Sequence, residues 1–493
     1  MIRCGRWLSV LTIAILGMGL KASAQNQTAR DALKTPDKRT IADLEKEIPE
    51  WLREASVPGM SIALIRGGKT YWVHGFGVKD VKTGQPVTEQ TTFEAASLSK
   101  PVFAYGVMKL VDQGKLDLDA PLTKYLPQRY VEREERLDKI TARIVMSHRT
   151  GFRNWRGDGN ALKIYFTPGE RFSYSGEGFV YLQKVVEQIT GKKLSEYMSE
   201  AVFVPLGMTN SSYIWRPEFD AETATGHDAE GQPGEKWKPQ DANAASSLQT
   251  TASDYARFVE AVLNGKGLKS ATLRELEKPQ IAVDPACTNC TDRVPGELSK
   301  EVFWGLGWGI QETKNGESLW HWGDNGAFKA YVVAYPKQKI GAVMFLNGQN
   351  GLAIRDKLVR AAIGGEQPAF AWAKYDQMDS AAMRFGRAVR DRGAATAIEE
   401  FHAALADGSI SEDSINSLGY RAFYGWEKPA EALRIFQLNV ELHPNSWNAY
   451  DSLGEMYAKN GRKDLAIANY QKSLDLNPKN DGAVKMLAEL RKK

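Results

Sequence analysis

The sequence contains little cysteine and histidine and no block of one charge. Three cysteines and six histidines occur in 493 residues, and the histidines are scattered without a His-Glu-x-x-His pattern. The 64 basic and 60 acidic residues are mixed along the chain, which leaves a formal charge of +4. These features argue against metal catalysis and against nucleic-acid binding, and we expect no cofactor and no metal site.

An apolar run at the N-terminus, from Leu8 to Leu20, is too short to cross a membrane, which takes roughly 20 residues. Arg3 and Arg6 precede this run, and Ala22-Ser23-Ala24 follows it with the small-x-small pattern of a cleavage site. The pattern predicts a secretory signal peptide over 1–24, with a membrane anchor as the alternative. We therefore expect an exported protein, periplasmic or secreted, with no membrane span after cleavage.

Two cysteines would remain after loss of the signal peptide and its Cys4. These are Cys287 and Cys290, in the stretch PACTNC. In an oxidising compartment, two thiols at this spacing favour a local disulfide. A redox motif is the alternative, but it needs a strand-to-helix context, whereas proline and asparagine here indicate a loop. A zinc site is the other alternative, and it would lack further ligands.

The length of the chain predicts two or three domains. PGMSIALIRGGKTYWVHGFGVKD predicts two strands around Arg66-Gly67-Gly68, and SLSKPVFAYGVMKLVDQGKL predicts a helix with Pro101 in its first turn and Gly114 after its last. Helical spacing dominates 140–198, and alternating strands follow between FWGLGWGIQE and IGAVMFLNG. Strands at both ends with helices between them predict an α+β domain over 25–370, with a sheet closed by distant parts of the chain.

Beyond a break at Gly364 to Ala373 the strand patterns end, and 378–493 is predicted to be helical. Its last helices match the 34-residue tetratricopeptide pattern, and the preceding segment repeats part of that pattern. The matching positions are Tyr450, Leu453, Gly454, Tyr457, Ala466, Tyr470 and Pro478, preceded by Leu418, Gly419, Ala432, Phe436 and Pro444. These are packing positions of paired helices. The segment is therefore either a groove for a protein partner or a C-terminal cap on the preceding domain.

The stretch FEAASLSK places Ser97 and Lys100 three residues apart at the start of a predicted helix. A lysine at that spacing lies on the same helix face, one turn away. If that face is buried, the amine could take or relay the serine proton, and the helix N-terminus could offer N–H groups to an oxyanion. The spacing alone is weak evidence, because an N-cap serine and a surface lysine give the same pattern.

Further motifs follow Ser97 in a fixed order: ITARIVMSHRTGF, PGERFSYSGEGFVYLQKVVEQITGKKL, AASSLQTTASDYARFVEAVLNG, WGLGWGI and HWGDNGAF. Together with FEAASLSK they resemble the serine β-lactamase-like family, which comprises class C β-lactamases, related carboxylesterases, D-amino-acid peptidases and penicillin-binding proteins. The resemblance covers 41–365. It implies the fold of that family, an antiparallel sheet flanked by helices with a helical subdomain.

The resemblance also implies roles for individual residues. Ser97 would be the acylated nucleophile, with Lys100 as its partner, and Tyr174 would be the general base toward the serine and later toward water. A phenol has a pKa near about 10, so this role needs a cation beside the phenolate, for which Lys100 is the candidate. A packed core tyrosine is the alternative. His321-Trp322-Gly323 resembles the strand that lines the substrate pocket, and the N–H groups of Ser97 and Asp324 would form the oxyanion hole.

Two positions depart from the pattern of the family. The second motif usually ends in an asparagine that contacts the lysine and the acyl-amide carbonyl of the substrate, and here Gly176 takes that place. The third motif has His321 where β-lactamases carry lysine, and a mostly neutral histidine attracts a β-lactam carboxylate weakly. We expect Gly176, His321, Gly323 and Asp324 to bind substrate. His148 is expected to stabilise a turn rather than to catalyse.

The sequence thus predicts a metal-independent serine hydrolase that cleaves an ester or amide bond of a small molecule or peptide through a Ser97 acyl-enzyme. An esterase or a D-residue-specific peptidase leads, and a class C-like β-lactamase is the alternative. The rival from another class is a catalytically inactive binding protein that acts through its tetratricopeptide repeats. The joint presence of Ser97, Lys100, Tyr174 and His321 argues against that rival.

Overall fold

A computed structural model describes residues 32–157, 162–229, 231–375 and 377–492 of the chain. The predicted signal peptide and Cys4 lie outside these ranges. Within the ranges, no helix has both the length and the apolar composition that crossing a membrane requires.

An antiparallel sheet of eight strands forms the centre of the first part of the chain, with the order β2-β1-β10-β9-β8-β7-β6-β5. The strands in chain order are β1 (Gly59–Arg66), β2 (Lys69–Gly77), β3 (Phe93–Glu94), β4 (Gln249–Thr250), β5 (Ile281–Ala282), β6 (Val302–Trp304), β7 (Gly309–Thr313), β8 (Gly316–Asp324), β9 (Lys329–Tyr335) and β10 (Ile340–Leu346). β3 and β4 form a separate pair. Ile62 of β1 pairs with Met344 of β10, so the predicted closure of the sheet by distant parts of the chain is confirmed.

The two central strands β9 and β10 are buried along their whole length. Their side chains alternate between two hydrophobic cores, one on each face of the sheet. Val332 and Val343 enter the core on the face of the Ser97 segment, whereas Val333 and Met344 enter the core on the other face. Helices cover both faces, so the alternation separates two apolar cores rather than a core from water.

The helices of the described residues fall into a group around the sheet and a group after it. The first group is α1 (Lys38–Ala55), α2 (Ser99–Asp112), α3 (Ala142–Met146), α4 (Gly176–Thr190), α5 (Leu194–Met198), α6 (Val204–Leu206), α7 (Phe219–Glu222), α8 (Ala252–Asn264), α9 (Ser270–Glu277), α10 (Arg355–Ala362) and α11 (Pro368–Ala373). The second group is α12 (Ala381–Arg392), α13 (Ala394–Glu400), α14 (His402–Ala406), α15 (Glu412–Tyr420), α16 (Pro429–Leu442), α17 (Trp447–Lys459), α18 (Lys463–Leu476) and α19 (Asp481–Lys492).

The second group of helices has hydrophobic cores of its own. Leu453, Gly454, Ala466 and Tyr470 are buried between paired helices, at positions of the predicted repeat. This all-helical segment agrees with the predicted fold class, and its tetratricopeptide character stays a prediction. α11 packs on the sheet through the buried Trp372, so contact with the sheet extends beyond the predicted domain end at 370.

Candidate active site

Ser97 lies in a one-turn 3-10 helix, Ala96–Leu98, directly before α2. Ala96 has a φ of 48°, in the left-handed region that residues with a Cβ rarely adopt. Two buried phenols hold the turn: Tyr255 donates a hydrogen bond of 3.0 Å to the carbonyl oxygen of Leu98, and Tyr213 one of 2.7 Å to that of Ser99. Packing therefore holds a strained turn that presents the half-buried Ser97 hydroxyl at a helix start.

Lys100 is fully buried in the first turn of α2. Its Nζ lies 2.9 Å from Ser97 Oγ and 2.9 Å from the carbonyl oxygen of Ala245. Burial lowers the pKa of Lys100 well below its usual value of 10.5, which favours the neutral amine. A neutral amine can donate an N–H to Ala245 and use its lone pair to accept the proton of Ser97.

Tyr174 stands in an extended segment just before α4 and is held by backbone hydrogen bonds. Its N–H donates to the carbonyl of Thr288 at 2.9 Å, and the preceding N–H donates to the carbonyl of His148 at 2.8 Å. The Lys100 Nζ lies 4.7 Å from the centroid of the Tyr174 ring. The phenol oxygen is buried, and among the described residues no hydrogen bond of standard geometry reaches it, although the Ser97 hydroxyl is near enough to lower its pKa. The structure thus brings Ser97, Lys100 and Tyr174 together.

The surroundings of Tyr174 favour a neutral phenol. Burial raises the pKa of Tyr174 above its usual value, and the Ser97 hydroxyl offsets only part of that rise. The Lys100 amine lies over the ring, where it does not pair with a phenolate oxygen. Two buried charges without direct pairing cost more free energy than two neutral groups. The role of Tyr174 as the base stays a prediction, while the geometry favours Lys100 for the first proton transfer.

His148 contacts Tyr174 directly, which its motif did not predict. Its φ of 55° fits the expected turn, but its ring is also buried and stacks on Tyr174, with centroids 4.2 Å apart. Nδ1 accepts the Ser175 N–H at 3.0 Å, which leaves the proton of the neutral ring on Nε2. Burial lowers the pKa of His148 well below 6.5, and the Lys100 amine, whenever it is protonated, lowers it further. The imidazole is therefore a neutral support beneath the phenol.

His321 lies on β8 and is fully buried. Its Nδ1 donates to the carbonyl of Trp322 at 2.7 Å. Burial lowers the pKa of His321 to about 3, with a smaller contribution from Lys100 when that amine is protonated, so the ring is neutral at pH 7. The ring packs near Tyr174, with centroids 6.2 Å apart, and near Trp304, with centroids 5.4 Å apart. Because the ring is fully buried, the predicted contact between His321 and substrate would need its exposure.

Gly323 allows β8 to approach the turn that carries Ser97. A Cβ at Gly323 would lie 2.5 Å from the carbonyl oxygen of Ala95, a distance that no side chain can accept without movement of the backbone. The glycine of the third motif is therefore required by the space between a strand and the nucleophile turn.

Asp324 follows Gly323 at the end of β8. Its carboxylate accepts the Gly326 N–H at 2.9 Å and the Tyr375 hydroxyl at 2.7 Å, and it pairs with Lys329. These partners occupy the carboxylate, so it is not free to take part in proton transfer. The backbone N–H of Asp324 remains the group that is predicted for the oxyanion hole.

Gly176 is buried as the first residue of α4. Its N–H donates to Asn154 Oδ1 at 2.8 Å, and the Ser175 hydroxyl caps the helix by accepting the Gly178 N–H at 3.1 Å. The position therefore has the backbone of the second motif but no amide that could reach Lys100.

A disulfide joins Cys287 and Cys290 in the structure. The loop that it closes contacts the Tyr174 segment, because Thr288 accepts the Tyr174 N–H and the Cys290 N–H donates to Ser173 Oγ at 3.0 Å. With both sulfur atoms in the disulfide, the adjacent Asp284 has no thiolate partner for a metal ion.

A cluster of buried aromatic rings surrounds Tyr174. Trp304 is at its centre, with ring centroids 5.1 Å from His148, 5.4 Å from His321 and 5.9 Å from Tyr174. Trp372 of α11 joins the same cluster at 6.0 Å from Trp304. These tryptophans come from distant parts of the chain, so no local spacing in the sequence indicated that they meet.

Comparison with known proteins gives a family match over most of the chain. The beta-lactamase family model matches residues 38–364. Protein flp of Staphylococcus aureus (strain N315) is 22% identical over 326 residues, which is 62% of this chain and 62% of that protein. Penicillin-binding protein 4 of Amycolatopsis lactamdurans is 25% identical over 338 residues, which is 63% of this chain and 86% of that protein. The match to protein flp thus spans less than two thirds of its length.

Solved structures share the fold. The octameric penicillin-binding protein homologue from Pyrococcus abyssi has a TM-score of 0.55 at 23% identity, over 70% of this chain and 80% of that chain. The D-alanine carboxypeptidase AmpC from Burkholderia cenocepacia has a TM-score of 0.55 at 22% identity, over 66% of this chain and 97% of that chain. With the sheet, its flanking helices and the match over 38–364, the chain belongs to the beta-lactamase family of serine hydrolases.

Proposed function

We propose that this protein is a serine hydrolase that cleaves an ester or amide bond through an acyl-enzyme at Ser97, as a carboxylesterase or a D-residue-specific peptidase. The observation that carries the proposal is the 2.9 Å contact between Ser97 Oγ and the Nζ of the fully buried Lys100. A buried, neutral amine beside a hydroxyl is the arrangement that activates serine as a nucleophile.

The first proton transfer follows from this contact. The Lys100 lone pair takes the proton of Ser97, and Oγ attacks the carbonyl carbon of the substrate. The N–H groups of Ser97 and Asp324 would then donate to the tetrahedral oxyanion, and such donors are worth about 3 kcal/mol each.

Tyr174 and Lys100 complete the proton path. When the bond to the leaving group breaks, the neutral Tyr174 hydroxyl donates its proton to that group and is reprotonated by the Lys100 ammonium. Because burial disfavours the phenolate, the Tyr174 hydroxyl donates its proton only as it receives the one from Lys100. Water then attacks the acyl carbonyl and gives a proton to the neutral Lys100 amine, which passes it to Ser97 Oγ as the acid leaves.

The names of relatives support a peptidase on D-residues as one form of this activity, since one structural neighbour is a D-alanine carboxypeptidase and one relative is a penicillin-binding protein. A class C-like β-lactamase is the second form. The missing amide at Gly176 and the neutral His321 disfavour that form. Export through a signal peptide over 1–24, and a protein partner for the helices of 378–493, are part of the same proposal.

The test is hydrolysis of p-nitrophenyl butyrate by a chain that begins at residue 25, with Ser97→Ala in parallel. We expect turnover in the first protein and a loss of at least about a thousandfold in the second. Mass spectrometry of the quenched reaction should find the butyryl group on Ser97. Equal turnover in the two proteins, with both folded by circular dichroism, would contradict the proposal. D-alanyl-D-alanine peptides and nitrocefin then separate the peptidase from the β-lactamase.

A further inference from the structure

At position 176 the indole of Trp155 fills the space that the side chain of any residue other than glycine would need. A Cβ at Gly176 would lie 2.6 Å from Cη2 of Trp155 and 2.9 Å from its Cζ2 and Cζ3 atoms. The φ of Gly176 is outside the left-handed region, so the backbone itself would accept another residue. The glycine is therefore required by the indole.

The segment that carries Trp155 is attached to the start of α4 by a set of hydrogen bonds. Asn154 Oδ1 accepts the Gly176 N–H at 2.8 Å, and the Asn154 carbonyl accepts the Glu177 N–H at 2.9 Å. The Ser175 hydroxyl donates to the carbonyl of Arg153 at 2.9 Å. These bonds fix the position of the indole relative to Tyr174, two residues before Gly176.

The indole has both a buried edge and an open part. Its six-membered ring contacts Gly176, yet 43% of the Trp155 surface is exposed. In the family pattern, the side chain at this position reaches the lysine and the acyl-amide carbonyl of the substrate. Where that pattern has a hydrogen-bonding amide, this protein has the hydrocarbon edge of an aromatic ring, which neither donates to nor accepts from a carbonyl.

We propose that Trp155 takes the place of the missing amide and makes the acyl side of the site selective for esters of apolar acids over substrates with an amide in the acyl group. The inference rests on the proposed function, and it narrows the substrate class from esters or peptides to esters. An acyl-amide group would lose its hydrogen bonds to water against the ring, whereas an apolar chain gains contact area.

Two esters with the same leaving group and nearly the same shape test the proposal. They are the p-nitrophenyl esters of 4-methylpentanoic acid and of N-acetylglycine, in which an amide replaces two apolar groups. We expect the wild-type protein to prefer the first ester by at least about tenfold in kcat/KM. Trp155→Ala should lose much of this preference by slowing the apolar ester.

A sharper test puts the amide side chain back at position 176 and removes the indole at position 155. Gly176→Asn alone should lower kcat/KM for both esters, because its Cβ meets the indole. The double variant Gly176→Asn/Trp155→Gly should recover hydrolysis and shift the ratio toward the N-acetylglycine ester by at least about tenfold relative to wild type. Trp447→Ala, which removes a tryptophan of similar exposure (41%) on α17, is the matched control and should keep the wild-type ratio.

The outcomes separate this inference from the proposed function. Hydrolysis of both esters by wild type, with an unchanged ratio in Trp155→Ala and in the double variant, would overturn the role of Trp155 while Ser97 catalysis stands. Hydrolysis of neither ester by wild type, at the level of Ser97→Ala, would overturn the proposed function itself.

Discussion

Lys100 is the residue whose state decides the chemistry of the site. A lysine is normally charged and exposed, whereas this one is fully buried, and burial lowers its pKa well below 10.5. A base must be unprotonated to act, so the neutral form has to exist near the working pH.

We predict that kcat/KM for p-nitrophenyl butyrate rises with pH through an apparent pKa far below that of an exposed lysine. A profile from about pH 5 to about pH 10 would measure it. Lys100→Arg should lose at least about a hundredfold, because a guanidinium stays protonated at every pH of the profile. A profile that rises only near the usual pKa of lysine, or an active arginine variant, would assign the first proton transfer to another group.

Glu94, three residues before Ser97, gives a prediction for stability. The residue is 7% exposed, and its carboxyl accepts a hydrogen bond from Asn325 Nδ2 at 2.9 Å. Burial raises the pKa of Glu94 from 4.5 to about 7, despite the opposing effect of that hydrogen bond. Between those values the native state keeps a proton that the unfolded state has lost, so the contribution of Glu94 to stability falls as the pH rises through this window.

The variant Glu94→Gln should therefore gain stability over wild type as the pH rises from about 4.5 to about 7, by up to about 3 kcal/mol. Urea unfolding of both proteins at several pH values gives the difference, in which the opposing titration of His321 cancels. Glu89→Gln, at an exposed position, is the control and should follow wild type. A difference that does not change with pH would show that Glu94 is ionised in the native state.

Individual residues differ in how far the sequence could identify them. Ser97, Lys100 and Tyr174 belong to motifs with fixed spacing, so the resemblance to a known family located them from sequence alone. The stacking of His148 on Tyr174 and the position of Trp304 depend on side chains that meet across several elements. The contact of Trp155 with Gly176 has the same origin, since 21 residues separate the two in the chain and only the folded backbone joins them.

The loop closed by Cys287 and Cys290 makes contacts that its sequence did not predict. The spacing of the two cysteines predicted only a local disulfide. In the structure the Thr288 carbonyl of this loop also holds the backbone N–H of Tyr174 at 2.9 Å. The loop therefore supports the segment that carries Tyr174.

We predict that Cys287→Ser/Cys290→Ser lowers kcat/KM for p-nitrophenyl butyrate by about tenfold, because the segment that carries Tyr174 loses its support. The free energy of unfolding should change little, because the disulfide closes only a short loop. Dithiothreitol should have a similar effect on the wild-type protein. Thr288→Ala is the matched control, since it keeps the carbonyl that Tyr174 uses. Unchanged activity in the serine variant and under reducing conditions would limit the disulfide to a role in the loop itself.

Strands and helices were more accessible to prediction than this loop. The hairpin of β1 and β2, the helix after Ser97 and the late strands followed from local spacing, and all are present. The late strands were predicted as alternating, whereas β9 and β10 are nearly continuous apolar runs, KAYVVAY and IGAVMFL. Such runs are typical of strands buried on both faces, as β9 and β10 are.

The whole molecule combines the sheet with helices α12 to α19, and few contacts join the two. The helices have cores of their own, but Met383 of α12 is buried in a core of the sheet. Contacts between the parts include a hydrogen bond of 3.3 Å from Arg390 to the carbonyl of Arg53 and one of 3.4 Å from Gln232 to the carbonyl of Tyr424. By contrast, α11 is part of the sheet's core. The ring centroids of Trp372 and Trp322 are 5.6 Å apart, and Trp372 Nε1 donates to the carbonyl of Asp284 at 3.0 Å.

Two truncated chains test where the hydrolase unit ends. A chain over 25–379 loses Met383 from a core of the sheet but should fold and keep kcat/KM within about threefold of the full chain, because the C-terminal helices have cores of their own. A chain over 25–366 removes Trp372 and should lose about 3–5 kcal/mol of stability together with activity. Thermal unfolding and ester hydrolysis measure both. An insoluble 25–379 chain would show that the C-terminal helices belong to the same folding unit.

The pairing of Ile62 in β1 with Met344 in β10 has a consequence for biosynthesis. A ribosome makes β1 early, but its partner emerges only when nearly the whole hydrolase unit has been translated. During that interval, the hairpin of β1 and β2 has an unpaired and apolar edge, which is a risk for aggregation. Such long-range pairing slows folding. The yield of folded protein therefore depends on how long this edge stays unpaired before β10 is available.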